Sequence, residues 1–325
     1  MTPPTSSPTL HPPWTPGADL RASNPGGLRA WVARHPVTSF LVLAFGLAYP
    51  VMALPILADH GVIADGWMSA FPGLDTERVA SIFLVFFALL PATVVVTWAV
   101  DGRDGVRSLM ARALRWRIGL GWWLLILTGL PVLTLAGAVA MGDTFRSVDV
   151  WPFMVAQVAG LLVNLVLINI LEETGWAGHV QSRLQRRHTL VVAAALTAVP
   201  FALVHMPLHF IGDFTVGSLT TAVVTLLIVC TIVRILLGGV LRGTGSVLAV
   251  AVTHTMFNRS NNDEGIVAGL VDGDARKLAG LLAVIALGIL VVAITRRGAR
   301  VDGAATDGSP ARADTHASTT RREAS

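Results

Sequence analysis

The sequence predicts an all-α, polytopic integral membrane protein of about eight transmembrane helices around an intramembrane polar cavity. Of 325 residues, 53% are apolar and 14% charged, and mean hydropathy is +0.66. Apolar runs of the roughly 20 residues needed to cross a bilayer recur along the chain. No ordinary water-facing domain has that composition.

The apolar segments are 37–58, 79–100, 118–140, 152–173, 190–208, 216–238, 245–258 and 277–295, the seventh being short. Residues 1–34 and 298–325 are rich in Pro, Ser, Thr, Ala, Gly and charge, so they are expected to be disordered tails flanking a membrane domain at 35–297. The first tail holds Pro3, Pro4, Pro8, Pro12, Pro13 and Pro16 and no apolar core beside a basic start. A cleavable signal peptide is therefore not expected, and the first span should stay as an anchor.

Charge in the connections alternates. Arg103, Arg107, Arg112, Arg115 and Arg117 follow the second segment, Arg183, Arg186 and Arg187 the fourth, and Arg234 and Arg242 mark the exit from the sixth. Asp59, Asp65, Asp75 and Glu77 follow the first, and Asp263, Glu264, Asp272 and Asp274 the seventh. The positive-inside rule then puts both termini in the cytoplasm, with the chain in the plasma membrane. This pattern also accounts for a net charge of +4 without any nucleic-acid partner. Cys230, the single cysteine, excludes an intramolecular disulfide and a cysteine-rich metal site.

Polar residues inside such segments are costly and face a protein interior or a wet cavity. The fourth segment ends Asn169-Ile170-Leu171-Glu172-Glu173-Thr174-Gly175-Trp176. Neighbouring helical positions diverge by about 100°, so one carboxylate can do chemistry while the other supports it. In the fifth segment Phe201, His205 and His209 recur at four-residue spacing before and after Pro207, and in the seventh His254 and Asn258 share a face. A carboxylate and an imidazole can orient and deprotonate water, directly or through a metal ion. A second imidazole and an amide can donate to the oxyanion formed when that water attacks a carbonyl. Peptide hydrolysis is the natural candidate.

The ordered trio of a glutamate pair, Phe-x-x-x-His and His-x-x-x-Asn resembles the intramembrane proteases grouped as CAAX prenyl endopeptidases and bacteriocin-processing (Abi, or CPBP) proteins, over about residues 150–260. The resemblance implies a protease-like core in which Glu172 and His205 activate water, His254 and Asn258 stabilise the oxyanion, and Glu173 supports them. It also allows a divalent metal such as zinc, held by Glu172, His205 and His254. The implied substrate is a membrane-associated or prenylated peptide or protein. The family's first motif has arginine four residues after the second glutamate, where this chain has Ala177. His179 or Arg183 would have to compensate along a continuing helix.

The remaining polar and aromatic positions have plainer readings. His179 and His209 read as structural, Phe201 as packing, Trp176 as an interfacial aromatic, and Asn258 also as a C-cap. Two other functional classes compete. An ion-coupled transporter would use the buried carboxylates as an ion site, although no inverted repeat of broken helices is visible. A non-catalytic immunity or scaffold protein would fit the missing arginine.

Overall fold

The computed structural model describes residues 27–307, with side chains described through Arg297. Its helices are α1 (Leu28–Arg34), α2 (Pro36–Asp59), α3 (Thr76–Ala113), α4 (Leu120–Ala140), α5 (Val150–Leu184), α6 (Leu190–Phe210), α7 (Val216–Thr244), α8 (Val247–Asn261), α9 (Ile266–Leu270) and α10 (Ala275–Asp307). A two-residue strand β1 (Thr144–Phe145) pairs antiparallel with β2 (Val271–Asp272). Among the described residues seven helices, α2 to α7 and α10, are long and apolar enough to cross a membrane. The protein is an all-α, multi-pass membrane protein.

The seventh apolar segment forms α8, only 15 residues long, or about 22 Å at 1.5 Å per residue. Its start lies beside the start of α4, because Ser246 Oγ donates to the Arg115 carbonyl at 2.5 Å. The chain after it reaches the far end of α4, because β2 pairs with β1. The stretch from α8 to β2 thus runs alongside α4 from end to end. Nearly all of α8 is buried by neighbouring helices, and irregular backbone at membrane depth is tolerated only where protein or a cavity surrounds it.

Local chemistry sets the ends of the helices. Asp75 caps α3 by accepting from the Arg78 amide at 2.7 Å, Thr215 and Ser218 form a capping box on α7, and Ser246 caps α8. Gly245, at φ 63°, makes the left-handed turn between α7 and α8. Several helices outrun their apolar segments, because polar residues past the predicted ends are paired or buried. Arg183, for example, pairs with Asp101, and α5 continues to Leu184. At the other extreme, Leu28–Arg34 is helical although it falls in the stretch read as a tail. The rest of that tail, and the C-terminal one beyond residue 307, lie outside the described residues.

The connections sort into two ends. One gathers Pro36, Asp101, Arg112, Arg115, Gly178 and Arg183, joined by contacts between α2, α3, α5 and α8. The other gathers Asp59, Thr76, Gly212 and Phe210, together with the pairs Arg78–Glu264, Arg146–Asp272 and Arg276–Asp263. We refer to these as the basic and the acidic end.

Candidate active site

Two wide turns frame the glutamates. The backbone of α5 opens into π-helical turns at Asn164–Asn169 and Trp176–Gln181, on either side of Ile170–Gly175. Such bulges insert a residue into the helical repeat and re-aim the side chains beyond it. Glu172 and Glu173 are both buried, which for two adjacent carboxylates demands compensation.

Glu173 is compensated fully. Arg234 of α7 donates to Glu173 Oε2 from Nη1 at 2.7 Å and to Oε1 from Nη2 at 3.0 Å, a bidentate fork that suits a planar guanidinium. His254 Nδ1 reaches the same Oε1 at 2.8 Å. Arg234 and Glu173 are each 0% exposed. The guanidinium lies over the Phe201 ring, 4.0 Å from its centroid, a cation–π contact. Phe201 in turn sits edge-on to Trp176, with centroids 5.5 Å apart. Phe201 therefore packs, as expected, and what it packs against is the cation that holds Glu173.

Glu172 is compensated only in part. His205 Nε2 lies 3.1 Å from Glu172 Oε1, yet that oxygen has no hydrogen-bond partner. His254 Nδ1 is 3.6 Å from Oε2. His205 Nδ1 meets the Phe201 carbonyl at 2.7 Å. A carbonyl only accepts, so Nδ1 carries a proton and Nε2 is the ring atom turned to the carboxylate. At this distance the pair needs a proton or a cation between the two atoms, or a water bridging both from one side.

Glu172, Glu173, His205 and His254 are thus brought together. Asn258 lines the same cavity as Glu172, His205 and His254, but makes no side-chain hydrogen bond among the described residues. The helix continues past Asn258 to Asn261, with Asn262 as the C-cap, so the capping alternative for Asn258 does not hold. Trp176 is not interfacial: it is fully buried and packs on Phe40 and Phe201.

The cation missing at Ala177 is supplied by another helix. Ala177 is itself fully buried. His179 is carried round by the π turn to meet Thr97 Oγ1 at 2.8 Å, and Arg183 pairs with Asp101, so neither reaches the glutamates. Arg234, read from sequence as a loop-end charge, holds that place. The misreading has a physical cause: the predicted span stopped at 238, near Gly238-Gly239, whereas α7 runs to Thr244 and carries Arg234 deep into the bundle.

Glu172, Glu173 and His254 offer donor atoms within 4.8 Å of one another. Glu173 already has both oxygens engaged, and a dication there would face the Arg234 charge. The set left free is the Glu172 carboxylate with the Nε2 atoms of His205 and His254. Each imidazole is anchored through Nδ1, by a carbonyl or a carboxylate, as metal-binding histidines usually are. These are the atoms that would hold an ion if one binds, with the orphaned Glu172 Oε1 as the carboxylate donor.

A cavity of about 930 Å³ leads to these residues, lined by Asn164, Ile168, Leu226, Val229 and Phe257 on its way to the acidic end. Towards the basic end this cavity does not continue past the glutamates, and Trp176–Gln181 are buried there. Gly175 and Gly178 permit the close approach: a Cβ on Gly175 would come within 2.8 Å of Thr93 Oγ1, and one on Gly178 within 2.7 Å of Leu109 Cδ1.

Fold and site together define a polytopic membrane protein with a buried two-carboxylate, two-imidazole centre at the foot of a deep cavity. Residues 154–260 match the family model described as type II CAAX prenyl endopeptidase Rce1-like. The match spans 107 of the 325 residues, so it describes that segment as Rce1-like, and it contains every site residue named above. No curated protein matches the chain.

Proposed function

We propose that this protein is an intramembrane endopeptidase of the plasma membrane that hydrolyses a peptide bond in a membrane-associated or lipidated substrate. The observation that carries the reading is the buried Glu172 Oε1, without a hydrogen bond, facing His205 Nε2 at 3.1 Å. Glu172 takes a proton from a water that bridges the two groups from the cavity side, and the oxygen adds to the scissile carbonyl carbon. The oxyanion accepts from Asn258 Nδ2 and from His254 Nε2. His254 already donates through Nδ1 to Glu173, so it must carry both ring protons to do this, with the Glu173 carboxylate as its counter-charge. When the intermediate collapses, the C–N bond breaks and the abstracted proton passes through His205 to the leaving amine. Glu173 and Arg234 position His254. A divalent cation bound by Glu172, His205 and His254 would supply Lewis-acid polarisation and a more acidic water.

The test is cleavage of a fluorogenic lipidated peptide by the purified protein in detergent or nanodiscs. Glu172→Ala and His205→Ala are each expected to lower kcat by about 10²–10⁴-fold while leaving the thermal unfolding midpoint near that of the wild type. Cleavage unchanged in both variants would sink the reading. Chelation with added-back zinc, followed by both activity and bound-metal analysis, separates the metal-assisted from the metal-free form.

A further inference from the structure

We infer that the cavity admits substrate from the extracytoplasmic side, so that the substrate class is the exported, membrane-adjacent segment of a peptide or protein, not a lipidated tail displayed in the cytoplasm. The inference rests on the endopeptidase reading for the word substrate, and on independent geometry for the direction.

The direction follows from the placement of charge and of packing. The cavity that contains Glu172, His205 and His254 is lined at its outer part by Asp75, Glu77, His209, Asn262, Glu264 and Lys277. All of these lie in the connections of the acidic end or in the helix turns beside them, and no connection of the basic end lines the cavity. From Val150 at the acidic end to Glu172 is 22 positions, roughly 33 Å at helical rise, and from Glu172 to Leu184 is 12, roughly 18 Å. The shorter path is the closed one. Trp176, Ala177, Gly178, His179, Val180 and Gln181 are all buried, so the reactive groups open away from the nearer surface.

Short-loop arginines fix which surface is cytoplasmic. Arg103, Arg107, Arg115, Arg117, Arg186 and Arg242 lie at the basic end. At the acidic end Arg78, Arg146 and Arg276 are each tied to an aspartate or glutamate. The basic end is therefore cytoplasmic, as are both chain termini, and the cavity opens on the opposite side.

The experiment uses the full chain in bacterial cells, in a Cys230→Ser background, with Asn262→Cys at the cavity mouth or His188→Cys at the basic end. A membrane-impermeant maleimide should label Asn262→Cys in intact cells and His188→Cys only after permeabilisation; the reverse pattern overturns the inference. Two reporters share one cleavable segment anchored to the membrane by a single helix, the segment exported in one and cytoplasmic in the other. The exported reporter should be cut at least tenfold faster, in a Glu172-dependent manner. Preference for the cytoplasmic reporter overturns the inference. If labelling comes from outside but neither reporter is cut, the endopeptidase reading fails and the substrate assignment falls with it, while the orientation holds.

Discussion

The basic and acidic halves of the bundle are held together in different ways. Around Trp176 and Gly178 the helices touch through glycine, alanine and fully buried aromatic side chains, and the main polar link, Glu173 to Arg234, is sealed from solvent. Towards the acidic end the first half of α5 has no buried residue from Val150 to Val163. The chain there is secured by loop contacts instead: β1 with β2, and arginines on exposed carboxylates. A site that must admit a peptide needs one half that yields and one that does not. The pair of glutamates sits on the boundary, Glu173 locked into the firm half and Glu172 facing the open one.

The largest expected effect comes from breaking the lock. Arg234→Leu leaves Glu173 buried with His254 as its only partner, and removing one member of a buried ion pair typically costs about 3–5 kcal/mol. Thermal unfolding in detergent should show a large drop in midpoint, and Arg234→Leu combined with Glu173→Leu should recover most of it without recovering activity. A single variant as stable as wild type would mean that the firm half does not depend on this pair.

Next in size is Asn258→Ala, on the open side. Loss of one oxyanion donor is expected to lower kcat by about 10²–10³-fold, with the unfolding midpoint unchanged because Asn258 makes no side-chain hydrogen bond among the described residues. Peptide cleavage rates and a melting curve on the same preparation check both halves of that statement.

The same division decides how much was legible in sequence. Glu172, Glu173, His205 and His254 are spaced along helices in ways hydropathy and motif order could expose, and the multi-pass fold is a consequence of composition. Arg234 was visible only as an arginine near the end of an apolar run. A span's end read from hydropathy cannot show that the helix continues, nor that its arginine turns inward to a carboxylate 61 positions away. The failure of His179 as a substitute cation has a similar origin. Face arithmetic assumes an uninterrupted 3.6-residue repeat, and the π turn at Trp176–Gln181 breaks it. The short α8 was seen as short, but the tie of the chain after it to β1 depends on contacts far apart in sequence.

A smaller effect probes packing directly. Gly178→Val would push a branched side chain against Leu109 Cδ1 and Val247 Cγ2, where even a Cβ comes within 2.7 and 3.3 Å. Overpacking of this kind costs about 1–3 kcal/mol. Gly217→Ala, at the acidic end, meets nothing closer than 3.8 Å and should be neutral. Equal melting midpoints for the two variants would erase the contrast between the halves.

The smallest effect concerns the loop clip. Arg146 Nε donates to Asp272 Oδ1 at 3.0 Å, and these hydrogen bonds hold the Asp272 carboxyl below the usual carboxylate range. A carboxylate with a depressed folded-state pKa adds stability above its unfolded value, about 3.9, and loses it as pH falls through the folded one. Both partners are exposed, so the contribution is slight and screened by salt. Asp272→Asn should therefore raise amide exchange at Thr144–Phe145 and Val271–Asp272 at neutral pH, while wild type and variant converge as the pH drops well below about 4. The difference should shrink with added salt and leave the exchange of Glu172–Gln181 untouched. Transmission of the change to that buried segment would show that the open half and the firm half are coupled.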